Sequence, residues 1–256
     1  MMAKSRTIKS LLSTLGYTSK SDRKYLKKQF EDIPDGEYYR PVFSPWHAQG
    51  YGDFRQYLST AQQTSVVSPD RVYVLYTLAL QALNLPGHWY ECGVYKGGTA
   101  GMLAKLLHNK QPSSVRELHL FDTFEGMPET DVEHDLHLQG DFADTSLEAV
   151  QKHVTSNLND ASFIKFHKGY IPETFANLEQ HEIALAHIDV DIYKAIHDSC
   201  DFIYPRLQNG GFMVFDDYGF GSCPGARTAV DEFFADKPEQ PLVLPTGQAV
   251  VFRQRY

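Results

Sequence analysis

Between Trp89 and Phe252 the chain repeats one pattern: a short apolar run of strand length, then a longer segment with helical apolar spacing. WYECGV, RELHLF, FIKFHKG, EIALAHIDV and GGFMVFDD read as strands. GGTAGMLAKLLHN, DTSLEAVQKHV, the short PETFANL, IYKAIHDSCDFIYPRL and ARTAVDEFFAD read as the helices between them. Alternation of this kind requires crossover connections, hence a parallel sheet with helices on both faces. PLVLPTGQAVVFR closes the chain as two strands around a short turn, which adds an antiparallel strand at one edge. Two helix starts are marked. Ser68 and Pro69 open SPDRVYVLYTLALQALNLPG as N-cap and first helical residue, and Thr145 stands three residues before Glu148 in a capping-box pattern.

Length and composition set limits. The 256 residues, 42% of them hydrophobic, suffice for one large domain with an appendage. The division expected is an arm or lid over residues 1–65 and the α/β domain over 66–256. The arm contains YYRPVFSPWHAQGYGDF, too rich in proline, glycine and aromatics for regular core structure, and a basic stretch from Lys4 to Lys28 in which Asp22 is the only acid. No apolar run approaches the ~20 residues of a membrane span, and no secretory leader is legible, so a cytoplasmic location is expected. Cys92, Cys200 and Cys223 are odd in number and lack C-x-x-C spacing, which argues for a reducing compartment and for cysteines as core residues. A net charge of -8 disfavours nucleic acid as partner. Small-molecule acceptors remain the expected partners, with room for a homo-oligomer.

Ligands of open parallel sheets sit beyond the carboxyl ends of the strands. After the first strand comes ECGVYKGGTAG, an E-x-G-x-x-x-G-G turn and not the G-x-G-x-x-G of dinucleotide binders. After the second comes FDTFEGMP. Asp122 there either accepts ribose hydroxyls or simply organises a turn. QGDFADT offers Asp141 and Phe142 as adenine contacts. Asp189 and Asp191 follow the fourth strand, and Asp216 and Asp217 the fifth. Four carboxylates at neighbouring strand ends would repel one another without a cation, and an oxygen-rich set of this kind suits Mg²⁺ or a similar hard divalent ion. His187 shares a face with Asp189 in an extended strand and is expected to be a hydrogen-bonded core residue.

In this order, ECGVYKGG, LFDTFEGMP, HIDVDIYK and GGFMVFDDYG followed by GARTAVDEFF resemble the macrocin O-methyltransferase family, metal- and S-adenosylmethionine-dependent enzymes that methylate sugar hydroxyls of natural products. The likeness runs from about Thr64 to Phe252 and is weak in the arm, which in that family helps to form the acceptor pocket. It implies a class I methyltransferase fold, a Rossmann-like seven-stranded sheet with its last strand antiparallel. It implies that Glu91, Gly93, Tyr95, Gly97, Asp122 and Thr123 lie around S-adenosylmethionine together with Asp141 and Phe142. It also implies that Asp189, Asp216 and Asp217 bind Mg²⁺ while Asp191 is the general base. The acceptor would be one hydroxyl of a vicinal diol, on a glycoside or, with the same chelate geometry, on a catechol. Other classes compete for the same acids. D-x-D and VFDD resemble haloacid-dehalogenase phosphatases, but here the D-x-D comes late and Tyr193 stands where threonine or valine is usual. Metal-dependent glycosyltransferases also use D-x-D, yet leave the glycine turn and Asp122 unexplained. A methyltransferase fold acting only as a binding module is a further alternative.

Overall fold

The computed structural model describes residues 52–111, 115–178 and 180–254. The basic stretch and most of the expected arm, residues 1–51, therefore lie outside the described residues. The elements are α1 (Phe54–Ala61), α2 (Pro69–Ala82), β1 (His88–Cys92), α3 (Gly98–Lys110), β2 (Leu118–Asp122), α4 (Leu147–Thr155), β3 (Ile164–Lys168), β4 (Ile183–Ile188), α5 (Tyr193–Ile203), β5 (Leu207–Phe215), α6 (Pro224–Phe234), β6 (Leu242–Val243) and β7 (Ala249–Phe252). PETFANL makes only a single 3-10 turn, Glu173–Phe175.

The seven strands lie in the order β3-β2-β1-β4-β5-β7-β6. β1 to β5 are mutually parallel, and β7 runs antiparallel to both β5 and β6. This is the class I methyltransferase arrangement that the motifs led us to expect. One detail differs. The antiparallel strand β7 is not the edge strand but inserts between β5 and β6, leaving the two-residue β6 outermost. An inner position pairs both edges of β7, with β5 and with β6, while the helix layers bury Val250 on one face and Ala249 and Val251 on the other.

Strand alternation divides the core into two layers. Trp89, Leu118, Leu120, Leu185, Phe212, Val214 and Val250 point to the face covered by α1 to α4. Tyr90, Cys92, Phe121, Ala186, Ile188, Met213, Phe215 and Val251 point to the face covered by α5 and α6. Each large apolar side chain buried this way is worth about 2–3 kcal/mol. α1 belongs to the first layer through Phe54, Tyr57, Leu58 and Ala61.

Helix starts follow the sequence with one correction. Ser68 is the N-cap of α2 with Pro69 behind it, although its hydroxyl accepts from Arg71 Nε at 3.3 Å instead of from a backbone amide. For α4 the cap is Ser146, whose Oγ accepts from Ala149 N at 3.2 Å. Thr145 does not cap, because its hydroxyl donates to the Tyr95 carbonyl at 2.6 Å and ties α4 to the glycine turn. No helix among the described residues is long and apolar enough to cross a membrane.

Candidate active site

The parallel ladder continues one residue beyond three neighbouring strands. Asp189 N donates to Cys92 O at 2.8 Å, Asp216 N to Ile188 O at 2.9 Å, and Gly93 N to Phe121 O at 2.9 Å. Gly93, Asp189 and Asp216 thus stand abreast at the carboxyl edge of the sheet. Gly93 has φ +85°, and a Cβ there would lie 1.9 Å from the Asp189 carbonyl oxygen, so only glycine lets β1 and β4 approach this closely. Tyr95 follows with φ +50° and Gly97 with φ +82°, forming the tight turn into α3.

Above this edge opens a cavity of about 370 Å³. Its wall includes Gly93, Tyr95, Asp122, Thr123, Phe142, Asp189, Asp191 and Asp217 among the residues singled out from the sequence. Glu91, Gly97, Asp141 and Asp216 stand behind the wall, outside the lining. Asp122 is the organiser of the turn. Its Oδ2 accepts from Val94 N and Tyr95 N at 2.7 and 2.8 Å, and its Oδ1 from Phe124 N at 2.6 Å. A carboxylate has about four lone-pair sites, so at most one is left for a ligand hydroxyl. Phe142 packs edge-on against Tyr95 with ring centroids 5.2 Å apart, inside the range of about 4.5–7 Å that aromatic pairs favour. Asp141 instead holds the loop, its Oδ2 accepting from Leu138 N and from His137 Nδ1, both at 3.0 Å.

Alternation places Glu91, His187, Asp216 and Gln248 on the face toward α2, where they form a fully buried polar chain with Arg71. His187 Nδ1 donates to Glu91 Oε1 at 2.9 Å, and its Nε2 lies 3.5 Å from Asp216 Oδ1. Gln248 Nε2 donates to the same oxygen at 2.8 Å, while the Arg71 guanidinium pairs with Asp216 Oδ2. Burial opposes charge on His187, but hydrogen bonds to Asp216 and Glu91 outweigh it and push its pKa up to about 10. Asp216 shows the converse: burial acts against its ionisation, yet His187 and Arg71 hold its pKa below the usual carboxylate value. His187 is thus the hydrogen-bonded core residue expected.

Asp189 and Asp217 are in the opposite state. Burial first, then the neighbouring carboxylates, raise both well above the ordinary range. Among the described residues no cationic side chain pairs directly with either. Asp191 sits at φ +59°, its N–H donating to Asp217 Oδ2 at 3.1 Å and its Oδ1 accepting the Cys223 thiol at 3.2 Å. Burial, above all, raises its pKa as well. Cys223 is a buried core residue as expected, in the layer of α5 and α6, and it also reaches the cavity wall.

Four residues of this arrangement were not visible as site residues in the sequence. Arg71 lies 145 positions from Asp216 and reads there as one polar residue of a helix. His137 belongs to the long connection 123–146, and Thr64 and Ser65 to the turn before α2; all three line the cavity. The only local signal for His137 is its i,i+4 spacing to Asp141. The connection is pinned by Asp135, whose Oδ1 accepts from Tyr193 N at 2.8 Å and thereby caps α5. A Cβ on Gly225 of α6 would lie 2.2 Å from that same oxygen, so the loop is wedged between the two helices.

A sheet of this order with a glycine turn, a β2 acid and an acidic β4–β5 edge defines a class I methyltransferase fold. The O-methyltransferase NovP shares it at a TM-score of 0.66 and 23% identity, over 75% of this chain and 82% of that one. The profile of the macrocin-O-methyltransferase (TylF) family matches residues 70–254, and the chain belongs to that family. It is 29% identical over 159 residues to an 8-demethyl-8-(2,3-dimethoxy-alpha-L-rhamnosyl)-tetracenomycin-C 4'-O-methyltransferase of Streptomyces olivaceus, covering 59% of each chain. It is 31% identical over 161 residues to a mycinamicin III 3''-O-methyltransferase of Micromonospora griseorubida, covering 59% of this chain and 61% of the relative. The matched segment thus spans about three fifths of these curated relatives.

Proposed function

We propose that the protein is an S-adenosylmethionine- and divalent-cation-dependent O-methyltransferase acting on one hydroxyl of a vicinal diol, carried by a sugar of a glycosylated compound. The observation that carries this reading is the convergence of Asp189, Asp191 and Asp217 on the cavity that the Gly93 turn and Asp122 also line. Family membership and the sugar-bearing acceptors in the relatives' names support it.

The donor set fits a hard divalent ion. Asp189 and Asp217 are buried carboxylates whose ionisation is opposed by burial and by each other, and a cation removes both penalties. Asp189, Asp216 and Asp217 would hold it. When bound, the ion lowers the pKa of an acceptor hydroxyl and fixes its direction. Asp191 then has the role of base. Its backbone is held by Asp217 and its Oδ1 by the Cys223 thiol, which leaves Oδ2 for the acceptor proton. S-adenosylmethionine, held along Gly93, Tyr95 and Asp122, would supply the methyl group, and Asp191 would take the proton of the acceptor hydroxyl. Arg71, Gln248 and His187 keep Asp216 ionised from behind. Thr64 and Ser65, in the turn before α2, would contribute to the acceptor side of the wall.

The test is an acceptor panel. Enzyme, S-adenosylmethionine and Mg²⁺ are incubated with glycosides bearing vicinal diols, with their monodeoxy analogues and with catechols, and products are read by mass spectrometry. Methylation of the diol glycosides, lost in the monodeoxy analogues, is expected. Methylation of catechols alone would overturn the sugar assignment, and equal methylation of the monodeoxy compounds would overturn the chelated diol.

A further inference from the structure

Beside the oxygen-rich edge the cavity wall carries a second donor set of different chemistry. Cys223 Sγ lies 3.2 Å from Asp191 Oδ1 and 3.7 Å from His137 Nε2, and His137 Nε2 lies 3.7 Å from Asp191 Oδ1. One ligand atom from each of the three falls within 4.8 Å of the others. Donors around a tetrahedral zinc ion, with bonds of about 2.0 Å to nitrogen and oxygen and about 2.3 Å to sulfur, stand roughly 3.3–3.6 Å apart. The three observed separations are within a few tenths of an ångström of that spacing.

The imidazole is also oriented for ligation. Asp141 Oδ2 can only accept, so in the neutral ring the hydrogen bond of 3.0 Å to His137 Nδ1 places the proton on Nδ1 and leaves Nε2, the atom nearest Cys223 and Asp191, to ligate. A carboxylate behind a ligating histidine is the usual device for fixing its tautomer and raising its basicity. All three side chains line the 370 Å³ cavity, so a fourth position faces its interior. Sulfur, nitrogen and one carboxylate form a set for a borderline-soft ion such as Zn²⁺ and a poor one for Mg²⁺.

We propose that Cys223, His137 and Asp191 form a zinc-binding site distinct from the oxygen cluster of Asp189, Asp216 and Asp217, and that zinc bound there silences Asp191. The inhibitory consequence rests on Asp191 being the base; the binding itself does not. Zinc takes the thiol as thiolate, one proton leaves to solvent, and the hydrogen bond from Cys223 to Asp191 is replaced by shared ligation.

Co²⁺ serves as the spectroscopic stand-in for zinc, added to full-length protein in saturating Mg²⁺. A sulfur-to-cobalt charge-transfer band is expected, displaced by one equivalent of Zn²⁺. Cys223→Ser should remove the band and weaken zinc binding by about 100-fold, and Asp141→Asn, which removes the charge behind His137 while leaving an oxygen to accept from Leu138 N, by about tenfold. Circular dichroism of each variant confirms that it is folded, and Asp141→Asn carries the test if Cys223→Ser is not. Cobalt binding without the band, equal zinc affinity in wild type and both variants, or no zinc binding at all would overturn the site. Zinc should also inhibit methyl transfer, measured against each variant's own zinc-free rate. A band without inhibition would leave the site standing and refute only its link to Asp191.

Discussion

Replacing Asp191 by asparagine separates its hydrogen bonds from its proposed role as base. Its backbone N–H donates to Asp217 and its Oδ1 accepts the Cys223 thiol, and asparagine keeps both while losing the ability to take a proton. The left-handed backbone at φ +59° is one that asparagine tolerates about as well as aspartate. Fold and cavity should therefore survive. A positioned general base contributes about 10²–10⁴ in rate, or roughly 3–5 kcal/mol of barrier. At saturating S-adenosylmethionine and Mg²⁺, kcat should fall by about that factor, with acceptor KM nearly unchanged. Calorimetric Mg²⁺ affinity should stay within about threefold of wild type, about 0.6 kcal/mol. Asp189→Asn should do the reverse and lose the ion first. A kcat for Asp191→Asn within twofold of wild type, or a collapse of Mg²⁺ binding equal to that of Asp189→Asn, would refute the division of labour.

Three further outcomes follow from the same geometry. Gly93→Ala should lower stability by about 3 kcal/mol or more, seen as loss of soluble protein or of Tm, because φ is +85° and the new Cβ meets the Asp189 carbonyl at 1.9 Å. Arg71→Met removes the guanidinium from the fully buried Asp216 and leaves His187 as its remaining cation, which should cost about 3 kcal/mol in denaturant unfolding, the low end for breaking a buried pair. On the far side of the sheet, burial and then His167 push the pKa of His119 down to about 3. The unfolded chain then binds the extra proton below the ordinary value of about 6.5, so this contribution is present at neutral pH and is lost as pH falls. Between pH 7.5 and pH 5 the loss from this group is about 2 kcal/mol, and His119→Gln should show a correspondingly smaller decline in stability across that range.

Local chemistry explains what was readable in advance. Period-two and period-3.6 patterns, Ser68–Pro69 and the Gly93 turn each act within a few residues, and those elements stand where the pattern puts them. The four acids were visible because they end apolar strands, and consecutive crossovers make β4 and β5 neighbours. Their inequality was not visible from the residues themselves. Asp216 differs from Asp189 and Asp217 because Arg71 and Gln248 arrive from α2 and from the residue before β7, contacts closed only by the tertiary fold. Thr145 and Ser146 are both good caps, and the choice fell to Ser146 because the Tyr95 carbonyl claims the Thr145 hydroxyl. His137 was hidden in a long irregular connection whose path is set by Asp135, which accepts from Tyr193 N at the start of α5. Glu91, legible as part of the glycine motif, faces the buried chain with His187 and not the cavity, a consequence of strand parity.

The central claim is that the acidic edge of the sheet works only with a cation. The direct measurement is methyl transfer by protein stripped with EDTA, then titrated with Mg²⁺, in wild type and Asp217→Asn. Wild type should be inactive after stripping and recover with a saturable Mg²⁺ dependence, whereas Asp217→Asn should need far more Mg²⁺ or fail to recover. Full turnover of the stripped wild-type protein would contradict it.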